Sequence, residues 1–220
     1  MIEMDATKKW VSAIKAGDAA VVESMLVEHP ELVQLTIESV PTTLLAYYYG
    51  HPEIGRLIAQ HKGELSLYEA AVLGDVGQLK ARASGSDLDV HSIDGFTALG
   101  FASYFGQAEV VHVLLDLGAS PNVPSANPLG VAPLHSALSA QAYEIVELLL
   151  SHGADPNLAS KEGWTPLHYT ASSADISMTD RLLKAGAKPG LQKNSDGKHA
   201  ADLAREQGAE DVAKLIESYY

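Results

Sequence analysis

Ala132-Pro133-Leu134-His135 and Thr165-Pro166-Leu167-His168 stand 33 residues apart, and each opens a stretch that closes on a glycine and an alanine: Gly153-Ala154-Asp155-Pro156-Asn157 after the first, Gly186-Ala187 after the second. A fixed period of this length means stacked modules, each too small to bury its apolar face alone, and it turns the search for function from a cleft to an extended surface. In the second copy Thr165 is placed to cap a helix through its hydroxyl, with Pro166 at the first helical position, where its missing N–H costs nothing. An apolar segment around Ile176, Met178, Leu182 and Leu183 then reads as a second helix, ended at Gly186.

Working outward, glycines able to end a helix recur after first helices at Gly17, Gly50, Gly74, Gly106 and Gly208, and after second helices at Gly118, Gly153 and Gly186. Second helices carry a stripe of period 3.6: Val110, Val111, Leu114, Leu115; Ile145, Val146, Leu148, Leu149; Val212, Leu215, Ile216. Cap positions align at Lys8, Pro41, Leu65, Thr97, Ala132, Thr165 and His199, with steps of 33, 24, 32, 35, 33 and 34 residues. The step of 24 leaves room only for a tight turn, and the step of 35 holds an enlarged loop at Pro124-Ser125-Ala126-Asn127-Pro128. The expectation is an all-α chain of about seven helix-turn-helix modules joined by short finger turns. It forms one domain over residues 1–220 whose first and last modules act as caps, the last bearing Glu206, Glu210, Asp211 and Glu217.

Thr-Pro-Leu-His at 165–168 and Gly-Ala-Asp-Pro-Asn at 153–157, with Gly118-Ala119-Ser120-Pro121-Asn122 as a variant, resemble the ankyrin repeat. The likeness is strong over about residues 90–218 and rests on helix pattern and turn glycines before that. It implies a gently curved solenoid of antiparallel helix pairs with fingers projecting from their base, in which His135 and His168 bond between adjacent modules. It also implies that partner contacts come from finger tips and the inward face of first helices. Carried over module by module, these are Tyr48 and Tyr49; Val72 and Leu73; Ile93, Asp94, Phe96, Tyr104 and Phe105; Leu129, Val131, Ser139 and Ala140; and Lys161, Glu162, Trp164, Ser172 and Ser173. The concave partner site so implied is Tyr48, Tyr49, Leu73, Phe96, Tyr104, Phe105, Val131 and Trp164, an aromatic strip suited to an interface. Packing between modules is the alternative reading of these rings, above all for Tyr47, Tyr48 and Tyr49, since three adjacent helical residues cannot all face one way.

Asp and Glu number 28 against 15 Lys and Arg, a formal charge of −13 that repels phosphate backbones and anionic lipid, so neither nucleic acid nor a membrane is an expected partner. Glu23, Glu28, Glu109, Asp116, Glu144 and Glu147 are placed to face outward from second helices, where they would attract a basic partner. Cysteine is absent, which removes disulfides and thiolate zinc sites; with no apolar run at the start long enough for a leader or a span, a cytoplasmic chain is expected. Nine histidines include no His-Glu-x-x-His, so no metal and no cofactor is expected. Ser12-Ala13-Ile14-Lys15 fits Ser-x-x-Lys, but neither Ser-Asp-Asn nor Lys-Thr-Gly follows, and no nucleophile elbow or phosphate loop occurs. The functional expectation is a non-enzymatic interaction module that binds a protein or peptide on its concave face, as a monomer rather than a dimer. Its alternatives are an inhibitor or immunity-type protein that blocks a basic enzyme or toxin and, below that, an undetected hydrolase.

Overall fold

A computed structural model describes residues 4–191 and 193–220. Contacts divide the chain into two units, Met1–Ser86 and Asp87–Tyr220, each taken by itself.

The first unit holds α1 (Met4–Ala16), α2 (Ala19–Glu28), a 3-10 turn (Pro30–Gln34), a hairpin of β1 (Thr36–Ile37) and β2 (Val40–Pro41), α3 (Thr42–Tyr48), α4 (Pro52–Gln60), α5 (Leu67–Leu73) and α6 (Val76–Ala83). Trp10 and Ile14 of α1 pack with Val22, Met25 and Leu26 of α2 and with Ile54 and Ile58 of α4 around one apolar centre. Burying side chains of this size contributes about 1.5–3 kcal/mol each. The hairpin pairs Ile37 with Val40 through Glu38 and Ser39, both at positive φ (51° and 70°), a turn whose twist suits two short strands. Neither turn residue is glycine or asparagine, so the sequence carried no signal for it.

Between α4 and α5 only six residues intervene and no finger forms, as the step of 24 requires. Lys62 instead reaches across the turn to Glu69, Nζ to Oε1 at 2.6 Å, with both side chains out of water. The second oxygen of Glu69 accepts from the Ser66 N–H and hydroxyl at 2.9 Å each, and Ser66 Oγ accepts from the Glu69 N–H. The cap is therefore Ser66, one residue after the expected Leu65, which is buried because its apolar side chain belongs to the core. Lys8 lies inside α1 rather than at its cap: that helix has no Thr-Pro start and extends back to Met4 among the described residues.

The second unit holds four helix pairs: α7 (Ala98–Tyr104) with α8 (Ala108–Asp116), α9 (Pro133–Ser139) with α10 (Tyr143–Ser151), α11 (Pro166–Ser172) with α12 (Ile176–Lys184), and α13 (Ala200–Glu206) with α14 (Glu210–Glu217). Each first helix packs on its own second helix, and α7, α9, α11 and α13 pack in sequence on one another. Val110, Val111, Leu114, Ile145, Val146, Leu149, Leu182, Val212 and Ile216 are buried as their stripes require. Ile176 departs from its stripe: it begins α12 at the open end of the turn and is exposed. The enlarged loop between α8 and α10's partner α9 is present, Ser125 N–H closing on the Val131 carbonyl at 2.9 Å.

Polar ties run from module to module along two edges. On one, Asn122 donates to the Gly153 carbonyl and accepts from the Asp155 N–H, and Asn157 repeats both bonds with Gly186 and Lys188. On the other, the finger backbones join: Ala126 N–H to Gly95, Lys161 N–H to Leu129, Ser195 N–H to Glu162.

Candidate functional site

Three fingers of the second unit, Ser92–Phe96, Ser160–Trp164 and Asn194–Lys198, are tight turns closed by a backbone hydrogen bond, and the fourth, Ser125–Val131, is the enlarged loop. In Ser160–Trp164 the Ser160 N–H bonds the Trp164 carbonyl at 2.9 Å, with Gly163 at φ 77° as the residue that lets the chain double back. His135 of the preceding module holds the same carbonyl. Its Nδ1 accepts from the Ala132 N–H at 3.1 Å, so Nε2 carries the proton and donates to Trp164 O at 3.1 Å. His168 repeats the arrangement, accepting from the Thr165 N–H and donating to the Lys198 carbonyl. The expected bonding of these two imidazoles between modules is observed.

Burial drives the His135 pKa down from 6.5 to about 4, against hydrogen bonds to Trp164, Leu158 and Ala132 that pull it up. Burial lowers that of His168 also. Both rings are neutral struts. The Thr165 hydroxyl meets His168 Nδ1 at 2.7 Å instead of capping a backbone N–H, because the imidazole occupies the space in front of the helix start. This pair is buried and its Nε2 faces a carbonyl rather than a carboxylate, so it lacks the access and the third group of a nucleophile.

Held this way, finger and helix side chains enclose a groove. Phe96, Tyr104, Leu129 and Val131 with His135, Ser136, Ser139 and Tyr169 line one hollow, and Leu129, Val131, Ser160, Glu162, Trp164 and Tyr169 line the next. The Tyr169 ring stands between those of His135 (5.5 Å between centroids) and Trp164 (5.4 Å, nearly perpendicular). Tyr104, 52% exposed, meets the half-buried Phe105 edge to face at 5.2 Å. Burial, aided by the Glu162 carboxylate, pushes the Tyr169 pKa up and keeps its phenol neutral.

Of the eight expected site residues the structure thus brings Phe96, Tyr104, Val131 and Trp164 to one groove, with Phe105 behind Tyr104. In the first unit Tyr48 and Tyr49 are 43% and 45% exposed, and the Lys15 ammonium lies over the Tyr49 ring at 5.0 Å. Tyr47 is buried beside Gly55, which answers the open question for that cluster: one ring in, two out. Leu73 lines a separate, more polar hollow with Arg56, Gln60, Asp75 and Gln78. Val72 is wholly buried, since it occupies the inner face of α5, and drops out as a contact residue.

Tyr169 was not among the expected site residues. One repeat earlier its place is taken by Ser136, so nothing in the 33-residue period marks it. Outside the groove, His112 Nδ1 meets Asp116 at 3.0 Å and His152 Nε2 lies 4.0 Å from the same carboxylate, but among the described residues no three His, Asp or Glu gather as metal ligands. No described helix is long and apolar enough to cross a membrane.

A family model described as ankyrin repeats in three copies matches residues 10–160, and a single ankyrin repeat matches residues 162–194. The chain belongs to the ankyrin repeat family. The match reaches the early modules, where the tetrapeptide is absent and helix pattern alone had spoken. Among similar proteins, BCL-6 corepressor-like protein 1 of Homo sapiens is 37% identical over 117 residues, 52% of this chain and 6% of that protein. The BTB/POZ domain and ankyrin repeat-containing proteins NPR5 of Oryza sativa subsp. japonica and COCH of Pisum sativum are each 38% identical over 92 residues, 42% of this chain and 18% of theirs. The chain therefore spans less than a fifth of the length of these relatives. An all-α ankyrin fold and this kinship suggest protein–protein interaction, and such proteins are typically non-enzymatic.

Proposed function

We propose that this chain is a non-enzymatic ankyrin repeat protein that captures a protein or peptide partner on its concave face, with the groove at Phe96, Tyr104, Val131 and Trp164 as the principal grip and Phe105 as its support. The observation that carries the reading is the groove itself: aromatic side chains open to solvent, with the backbone of Trp164 fixed by His135. Aromatic rings lose little freedom on binding and bury a large area. Tyr48 and Tyr49 belong to the proposed surface by their exposure; the polar surroundings of Leu73 give it less support. The reading includes one domain over 1–220, a cytoplasmic location, a monomer, and no role for nucleic acid, membrane or cofactor.

The test compares affinity capture by the wild type with that by a chain carrying Tyr104→Ser and Phe105→Ala. The variant should keep its melting temperature within a few degrees and lose its bound protein. An unchanged set of captured proteins, or a collapse in melting temperature, overturns the proposal. The charge of −13 supports a second reading, an inhibitor or immunity-type protein that covers a basic enzyme or toxin. That reading requires one-to-one binding to abolish the enzyme's activity.

A further inference from the structure

We propose that the partner of this groove presents one lysine or arginine beside an apolar side chain, the cation docking at Glu162, Trp164 and Tyr169 and the apolar group between Phe96, Tyr104 and Leu129. The inference rests on the groove reading above and adds the partner's chemistry.

The charge balance of the groove decides it. The two adjoining hollows contain a single ionised side chain, the carboxylate of Glu162, because His135 is neutral near pH 7. Glu162 has no ion-pair partner among the described residues. The adjacent cation does not serve: the Lys161 ammonium is turned back to the preceding finger, donating to the Asn127 carbonyl at 2.7 Å. A wholly apolar segment laid in the groove would strip water from this carboxylate and offer nothing in exchange, a penalty that a cation removes. The Trp164 and Tyr169 rings line the same hollow as the carboxylate and meet edge to face at 72°, so the ring face left open there adds a second attraction for a cation. The other hollow has no charged group, and the small Ser136 and Ser139 leave space between Tyr104 and Leu129 for an apolar side chain.

An acidic segment is disfavoured by the same carboxylate and by the net charge of the chain. The arrangement is directional: cation at the Trp164 end, apolar group at the Tyr104 end.

The experiment uses a phage-displayed library of random 12-residue peptides, selected on the full chain and on its Glu162→Arg variant, with Tyr104→Ser and Trp164→Ala chains as counter-targets. Glu162 is exposed, and circular dichroism will verify that the variant folds. The wild type should enrich peptides that pair an apolar residue with Lys or Arg and that bind the counter-targets weakly. The Glu162→Arg chain should enrich Asp or Glu at the cation position, and a synthetic wild-type consensus peptide should bind it about tenfold more weakly. Enriched peptides that depend on Tyr104 and Trp164 but show the same consensus on both chains overturn this inference and leave the grip standing. Peptides indifferent to Tyr104 and Trp164, or no enrichment on the wild type, overturn both.

Discussion

In four of the modules one residue position governs the start, the third of the first helix. It is Glu69 after Ser66, His135 after Ala132, His168 after Thr165 and Asp202 after His199, and in every case the side chain turns back to accept the N–H of the cap residue. A carboxylate and an imidazole meet that demand equally, but they differ in their second bond. The imidazole donates onward to the next finger, whereas Glu69, in the module that lacks a finger after α4, takes Lys62 instead. Burial would raise the Glu69 pKa, but the bonds from Lys62 and Ser66 outweigh it and hold the carboxyl below its ordinary range. Glu69→Ala leaves Lys62 charged and buried without a partner, and should cost on the order of 3 kcal/mol in urea unfolding. His135 gives the opposite pH signature to a salt-bridged histidine. Its folded pKa of about 4 lies below the unfolded 6.5, so the unfolded chain binds more protons between these values and stability falls as pH drops through that window. The loss attributable to this ring is on the order of 3 kcal/mol, complete near pH 4. Urea midpoints at pH 7 and pH 4.5 should differ less in His135→Gln than in the wild type, whatever the carboxylates contribute to both. An equal difference in the two chains would remove His135 as the cause.

At the scale of helices and turns, the link from first to second helix is a left-handed residue in every module. Five modules place glycine there, at Gly17, Gly50, Gly74, Gly106 and Gly208, but α9 and α11 end at Gln141 (φ 54°) and Ala174 (φ 55°). A side chain in this region costs about 1 kcal/mol, so Ala174→Gly, which removes only a methyl group, should stabilise the chain by roughly 0.5–1 kcal/mol and raise the melting temperature by a few degrees. A lower melting temperature would show that the conformation is supported by contacts the alanine makes. This pair also marks what the sequence could and could not tell. Thr-Pro-Leu-His, Gly-Ala-Asp-Pro-Asn and the aliphatic stripes place helices, fingers and inter-module histidines because each repeats a local rule. The hairpin at Glu38 and Ser39 and the turns at Gln141 and Ala174 escape, because these residues take left-handed conformations that their types do not favour, and no local rule marks them. In the groove, Phe96, Tyr104, Val131 and Trp164 were legible as the variable slots of a repeating frame. Tyr169 and the unpaired state of Glu162 depend on which neighbour fills the adjoining slot, and periodicity holds no record of that.

For the molecule as a whole, charge and cooperativity are the two properties that act beyond any one module. Glu23, Glu28, Glu109 and Glu144 are exposed on second helices, Glu147 is met by Arg181, and Arg205 binds Glu210 and Glu217 near the C-terminal end. The excess negative field should speed capture of a basic partner, so raising salt from 50 to 500 mM should slow association in stopped-flow measurements while dissociation changes little. Cooperativity can be read from the chain's two tryptophans, one in each unit: Trp10, fully buried in the apolar centre of the first, and Trp164, half-buried in the groove of the second. In Trp164→Phe the fluorescence reports the first unit alone, while far-ultraviolet circular dichroism reports helices throughout. Repeat modules gain most of their stability from nearest neighbours, so a single domain over 1–220 predicts that the two signals share one urea midpoint and one slope. Midpoints separated by more than about 0.5 M would instead mean that the units unfold independently, since a small domain loses about 1–3 kcal/mol per molar urea and such a gap then reflects a real difference in their stabilities.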